Sequence, residues 1–224
     1  MMIKSLADYI SKIQTIKEKE NLRHFDLLFR GQLSDAELLP SVQRYVAKME
    51  DSTKCERLIF KEFKRNLPLS QNFYSLYNDW QMLSLAQHYG LPTRFLDWSY
   101  SALAALWFSV KDTDRDKSFV YVLVTKDIDL WNAWENFCSP FCVDRILIYR
   151  PDTVVERVSS QSSVFTVHPF GMKIEDYEKF TIKKLEIENP KEIKKQLDDC
   201  GVNEYSIYPD LPALCNYLKW RYFK

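Results

Sequence analysis

Glycine occurs only four times in 224 residues, at Gly31, Gly90, Gly171 and Gly201. Folds that cradle phosphate on glycine-rich loops need strings such as G-x-G-x-x-G or G-x-x-x-x-G-K-[ST], and neither occurs. Rossmann and P-loop cradles are therefore excluded. With so few glycines, each is expected where the backbone needs a positive φ or where another segment approaches closely. Gly90 and Gly201 each follow a helical pattern and read as C-terminal caps.

Apolar periodicity supplies the remaining elements. Ser5 to Lys19 reads as a helix with Leu6, Tyr9, Ile10 and Ile13 on one face, and Phe25 to Phe29 as a short strand. Ser52 to Phe63 is expected to be helical, with Leu58, Ile59 and Phe63 apolar. A helix capped by Asp79 runs to Tyr89 and is stopped by Gly90 and Pro92, and another spans about Ser101 to Val110. Phe119 to Val124 is apolar throughout, as in a strand buried on both faces. Asp127 to Phe137 reads as a helix, Ser163 to Val167 and Phe180 to Ile187 as strands, and Ile193 to Cys200 and Leu211 to Tyr222 as closing helices. Early helices followed by mostly later strands predict an α+β fold. The expectation is a single domain, 1–224, with N-terminal helices on a small, mainly antiparallel β-sheet that is either continuous or split.

Thirty-one basic residues balance thirty-one acidic ones, which argues against broad electrostatic attraction to nucleic acid or anionic membrane. The longest apolar stretch, Leu103 to Val110, is far short of the ~20 residues of a membrane span. Met1 to Asp8 lacks the charged and apolar regions of a secretory signal. Five irregularly spaced cysteines, at 55, 138, 142, 200 and 215, do not suggest a disulfide framework. Cys138 and Cys142 share a helical spacing, but no second pair completes a zinc site, so no metal is expected. These features together predict a cytoplasmic chain.

Polar chemistry is concentrated in Phe29-Arg30-Gly31-Gln32 and in the block from Gln87 to Trp98. Gln81 to Val110, Phe29-Arg30-Gly31-Gln32 and Leu39-Pro40-Ser41 together resemble the FRG domain family, named for the motif here formed by Phe29-Arg30-Gly31. Arg157 to His168 and Tyr205 to Leu218 also resemble it, so the likeness covers about 25–218, with 1–24 an N-terminal helix. The family resemblance implies a setting in bacterial or phage conflict systems. The chain is more distantly similar to arginine-type ADP-ribosyltransferases, in which an aromatic-Arg-Gly strand contacts the NAD phosphates. That likeness implies Arg30 as the phosphate-binding arginine, Leu96 to Phe108 as the second element, and Gln161 nearest the third. Two departures stand out: the hydroxyl element is reduced to Ser99 with Thr93, and no glutamate occupies the third position. Either Asp97 or Glu156 supplies the carboxylate that stabilises an oxocarbenium-like centre, or the chemistry differs, or the fold binds without reacting.

Each site residue has a functional and a structural reading. Arg30 either holds phosphate or carboxylate oxygens through its planar fork, or pairs internally with Asp97. His88 suits general acid–base work, since histidine as a residue type titrates near neutral pH, but histidines near helix ends also serve as caps. Arg94 and Asp97, in a loop among Phe95, Leu96 and Trp98, are either paired or facing a cleft. Trp98 can stack on a base or pack in the core. The catalytic candidates are His88, Asp97 and Gln161; the ligand-binding candidates are Arg30, Gln32, Gln87, Thr93, Arg94 and Trp98. His168 is a weaker candidate, and His24 has no supporting context.

Two function classes follow. One is an enzyme that takes NAD as substrate, for transfer or glycohydrolysis. The other is a non-catalytic module that recognises a nucleotide or a protein partner in the same cleft. Metal-dependent hydrolysis ranks last, because only His88 and Asp97 lie close in sequence.

Overall fold

The computed structural model describes residues 2–23, 26–46, 52–67, 78–112, 115–125, 133–151 and 163–223. In chain order the elements are β1 (Met2–Ile3), α1 (Leu6–Glu20), β2 (Leu27–Gln32), α2 (Ser41–Val46), α3 (Ser52–Arg65), α4 (Asp79–His88) and β3 (Phe95–Ser99). They continue with α5 (Ala102–Val110), β4 (Lys117–Val124), β5 (Leu147–Tyr149), β6 (Ser163–Val167), β7 (Thr181–Glu188), α6 (Pro190–Asp199), α7 (Glu204–Ile207) and α8 (Leu211–Tyr222). Short 3₁₀ turns lie at Ala133–Asn136, Pro140–Cys142 and Ile174–Asp176. Among the described residues no helix is long and apolar enough to cross a membrane.

Seven strands form one open sheet in the order β1-β7-β4-β2-β3-β6-β5, antiparallel except where β1 meets β7. This is the expected α+β class, with a larger sheet than anticipated. Strand β4 sits between β2 and β7 and is buried on both faces, as its unbroken apolar run requires. Its residues alternate between two cores: Val120, Val122 and Val124 face α1, α5 and α6, while Tyr121 and Leu123 face the side of α3 and α4. Each fully buried aliphatic side chain contributes about 1.5–3 kcal/mol by leaving water.

The sheet is continuous but unevenly joined. Six register pairs hold β2 to β4, from Leu27↔Val124 to Gln32↔Phe119, and five hold β3 to β6. Between β2 and β3 there is one, Phe29↔Ser99. The sheet is therefore not split, and β2 and β3 meet at a narrow seam inside it.

Several local expectations change. Phe95–Ser99 is a strand, where a loop was expected, because its backbone finds a partner in the distant β6. Helix α4 is capped by Asn78 rather than Asp79, through a reciprocal box with Gln81. Ala133–Asn136 is a 3₁₀ turn and not the end of a long helix, and the rest of that expected helix lies outside the described residues. Ile10 and Leu58, assigned to apolar faces, are exposed because their helices bury a narrower stripe. Gly90 and Gly201 have positive φ directly after α4 and α6, as expected of C-terminal stops.

Candidate functional site

Gly31 shows why strand β2 ends as it does. An ideal Cβ at this position would lie 2.0 Å from the Ala105 carbonyl oxygen and 2.6 Å from the Ser109 nitrogen. The α5 backbone therefore rests directly on β2, and only glycine leaves room for it. Ser101 starts that helix, its hydroxyl accepting from the Ala104 N–H at 3.2 Å. The motif glycine thus docks a helix, while the arginine before it points to the opposite face of the strand.

Arg30 reaches across the seam. Its Nη1 donates to the Asp97 backbone carbonyl at 2.9 Å and lies 3.6 Å from Asp97 Oδ2. The Arg30 side chain is 15% exposed and that of Asp97 55%. Arg30 Nε is buried with no hydrogen-bond partner. Burial lowers the guanidinium's pKa, Asp97 raises it, and the nearby charge of Arg44 lowers it further. Arg30 therefore pairs with Asp97, and it also lines a cavity.

Asp97 is fixed from a second side. Gln87 Nε2 donates to Asp97 Oδ2 at 3.0 Å, and Gln87 Oε1 accepts from the Thr93 hydroxyl at 2.6 Å. The Thr93 oxygen in turn accepts from the Phe95 N–H at 3.0 Å. Since a carboxylate only accepts, this chain orients the Gln87 amide in one sense. Thr93 is itself fully buried and acts behind Gln87, outside the cavity lining.

The cavity, about 570 Å³, opens where β2 and β3 diverge. That volume lies within the range of small-molecule and cofactor sites. Arg30, Gln32, Gln87, His88, Asp97 and Trp98 all line it. So do Arg44 from α2 and Lys111 just beyond α5. Asp97 is the one carboxylate among the described lining residues, against three cations, so the local field favours an anion. Phe108 and Tyr208 line the α5 side, their rings 6.1 Å apart and edge-on, with the Lys111 ammonium 5.8 Å from the Phe108 centroid.

The rim after β2 is tied down by a separate set of contacts. Gln32 Nε2 donates to the Ala36 carbonyl at 2.9 Å, and the Tyr121 hydroxyl donates to Asp35 Oδ1 at 3.1 Å. Lys184 pairs with the other Asp35 oxygen at 2.5 Å. Lys184 and Tyr121 hold the Asp35 carboxyl below its ordinary range. Burial, helped by Asp35, pushes the Tyr121 hydroxyl up to about 12.

Other expected site residues are buried away from the cavity, form its wall, or lie outside the described residues. Arg94 is absent from the cavity lining and its guanidinium faces Glu56, with side-chain exposures of 4% and 1%. Nε and Nη2 bind the two Glu56 oxygens at 2.6–3.2 Å, and Nη1 donates to the Pro140 carbonyl at 3.2 Å. Of the two readings open for Arg94, the structure realises the paired one. Trp98 forms part of the wall but is buried, its N–H donated to Thr166 Oγ1 at 3.0 Å. Gln161, Glu156 and His24 lie outside the described residues.

His168 is buried behind Trp98. Its Nδ1 faces the Met172 carbonyl at 3.2 Å, which can only accept, so Nε2 accepts from the Thr166 hydroxyl at 2.9 Å. Burial lowers its pKa to about 4, so it sits neutral in the core. Among the described residues no group of three or more His, Cys, Asp or Glu is placed to hold a metal ion.

Sequence reasoning did not single out Arg44 or Lys111, and Phe108 and Tyr208 entered it only within the resembling segments, not as site residues. Arg44 rides on the six-residue α2, too short to show a period, and Lys111 reads as an ordinary charge after a helix.

The molecule is thus an α+β domain with a cationic cavity at the seam of its sheet. Residues 26–118 match the family model described as FRG domain. The matched segment carries Arg30, Arg44, Gln87, His88, Asp97 and Lys111, while Ser163, Phe165 and Tyr208 join the cavity from beyond it. The likeness expected for Arg157 to His168 and Tyr205 to Leu218 lies past the matched segment. No curated protein and no solved structure matches the chain.

Proposed function

We propose that the cavity binds a nucleotide through its phosphates, with NAD the first candidate, and opens the bond between nicotinamide and ribose. The observation that carries this reading is the Arg30 guanidinium, buried at the cavity with Nε unpartnered and supported by the cations of Arg44 and Lys111. A guanidinium in a partly desolvated site binds phosphate oxygens through charge-assisted hydrogen bonds. Phe108 and Tyr208 offer ring surface on the α5 side for a base.

In this reading Asp97, oriented by Gln87, stabilises positive charge on the ribosyl carbon as the nicotinamide departs. His88 takes a proton from water or from an acceptor hydroxyl, a task for which its imidazole at the cavity wall is suited. The products are nicotinamide and either free ADP-ribose or an ADP-ribosylated acceptor. The proposed setting is a bacterial or phage conflict system inside the cell.

A second reading is recognition without turnover. It rests on Asp97 being already engaged by both Arg30 and Gln87, as a fixed binding group would be.

Calorimetric titration with NAD and ADP-ribose, paired with mass spectrometry for released nicotinamide, tests both. Binding with release, abolished in Asp97→Asn while binding persists, supports the enzyme. Binding without release supports the recognition module, and the absence of any binding sinks both.

A further inference from the structure

Away from the cavity, two thiols lie side by side. Cys138 and Cys142 are both exposed, and their Sγ atoms are 3.9 Å apart. The turn that carries them is braced by the core. Trp80 Nε1 donates to the Phe137 carbonyl at 3.2 Å, immediately before Cys138. Ser139 Oγ accepts from the Phe141 N–H at 3.4 Å, and the Cys142 N–H donates to the Ser139 carbonyl at 3.1 Å. Between the two cysteines, Pro140 is buried and its carbonyl receives Arg94 Nη1 at 3.2 Å. Phe141 lies under that guanidinium, 5.0 Å from ring centroid to carbon, and packs against Phe60 at 5.2 Å.

We propose that Cys138 and Cys142 form a dithiol–disulfide site that is oxidised by a low-molecular-weight disulfide such as oxidised glutathione. One thiolate attacks the small disulfide, forming a mixed disulfide and releasing one small thiol. The second cysteine then attacks the mixed disulfide at its protein sulfur, closing the Cys138–Cys142 bond and releasing the second small thiol. Two protons and two electrons leave the protein and appear in the two released thiols.

Proximity drives the second step. The sulfurs must close from 3.9 Å to about 2.0 Å, a side-chain rearrangement on a braced turn. The first step has no special activation, because sharing a hydrogen bond with Cys142 raises the Cys138 thiol above its ordinary value. Cys55, Cys200 and Cys215 have no such neighbour among the described residues, so their reaction stops at the mixed disulfide. The closed bond would span the turn whose central carbonyl seats the buried Arg94.

The test uses the whole folded chain, incubated with oxidised glutathione, quenched with N-ethylmaleimide and digested with trypsin. Cleavage after Lys126 and Arg145 puts both cysteines in one peptide. The expected result is that peptide lighter by two hydrogens and carrying no maleimide, restored to two maleimides after dithiothreitol. Cys142→Ser should leave Cys138 trapped as its glutathione adduct. Repeating the oxidation in denaturing urea should lower the yield of the internal disulfide, since the braced turn is lost. A peptide bearing two glutathiones or two maleimides overturns the proposal, as does an equal disulfide yield in urea.

Discussion

Arg30 donates from Nη1 to the backbone carbonyl of Asp97 at 2.9 Å, across the seam where β2 and β3 share a single register pair. A side chain here does what a ladder hydrogen bond does elsewhere in the sheet. It leaves the strands apart, and the space between them becomes the cavity. The same guanidinium lies 3.6 Å from the Asp97 carboxylate, so one residue both bridges the seam and polarises the site.

Replacing Arg30 by Gln removes the charge while keeping a donor. Loss of charge-assisted hydrogen bonds of about 1.5–3 kcal/mol should weaken ADP-ribose binding about tenfold to a hundredfold. Calorimetry on a variant that melts like the parent is the measurement, and unchanged affinity would remove Arg30 from the ligand.

Gly31→Ala drives a methyl group into the Ala105 carbonyl and the Ser109 amide. Neither is a flexible side-chain end, so the helix must shift. The expected cost is about 3 kcal/mol or more, the upper end of overpacking. Urea denaturation reads it directly, and a change within error would mean the helix moves away freely.

Arg94→Met strands the buried Glu56 carboxylate and should cost about 3–5 kcal/mol. The double change Arg94→Met with Glu56→Leu should cost clearly less than the sum of the two single changes, because no unpaired charge remains. Strict additivity in a double-mutant cycle would contradict the pairing.

His168 makes a pH prediction. Its folded pKa, about 4, is below the ordinary 6.5, so the unfolded chain takes up a proton first as pH falls. Its contribution is intact above pH 6.5, declines between 6.5 and about 4, and then levels off. The loss is about 3 kcal/mol in total. Urea midpoints of the parent and of His168→Gln across that window should converge toward low pH. Parallel curves would show that His168 is not held neutral.

The parts of the fold legible in the sequence were those set by local pattern. The β4 run, the helices from Leu6, Asp79 and Ala102, and the stops at Gly90 and Gly201 all carry their cause within a few residues. Strand β3 was not legible, because Asp97 and Ser99 leave only three apolar residues in its five and its main partner, β6, lies more than sixty residues away. Arg94 and Asp97 look alike in sequence, three positions apart between aromatics. Only the arrival of Glu56 from α3 separates the buried one from the one at the cavity. The motif arginine and its pairing with Asp97 could be approached from residue type; the Gln87–Asp97 hydrogen bond and the cations Arg44 and Lys111 depended on tertiary placement.

The contact at Gly31 also sets a dimension. Since the α5 backbone meets β2 with no side chain between them, the spacing of that wall is a gauge cut in main chain rather than in rotamers. A related sequence could change Arg44, Lys111 or Tyr208 and so alter which ligand is preferred, leaving the gauge untouched. Changing the glycine would reset the gauge itself. The short motif therefore marks the part of the site least free to diverge, while preference among ligands is written on the elements around it.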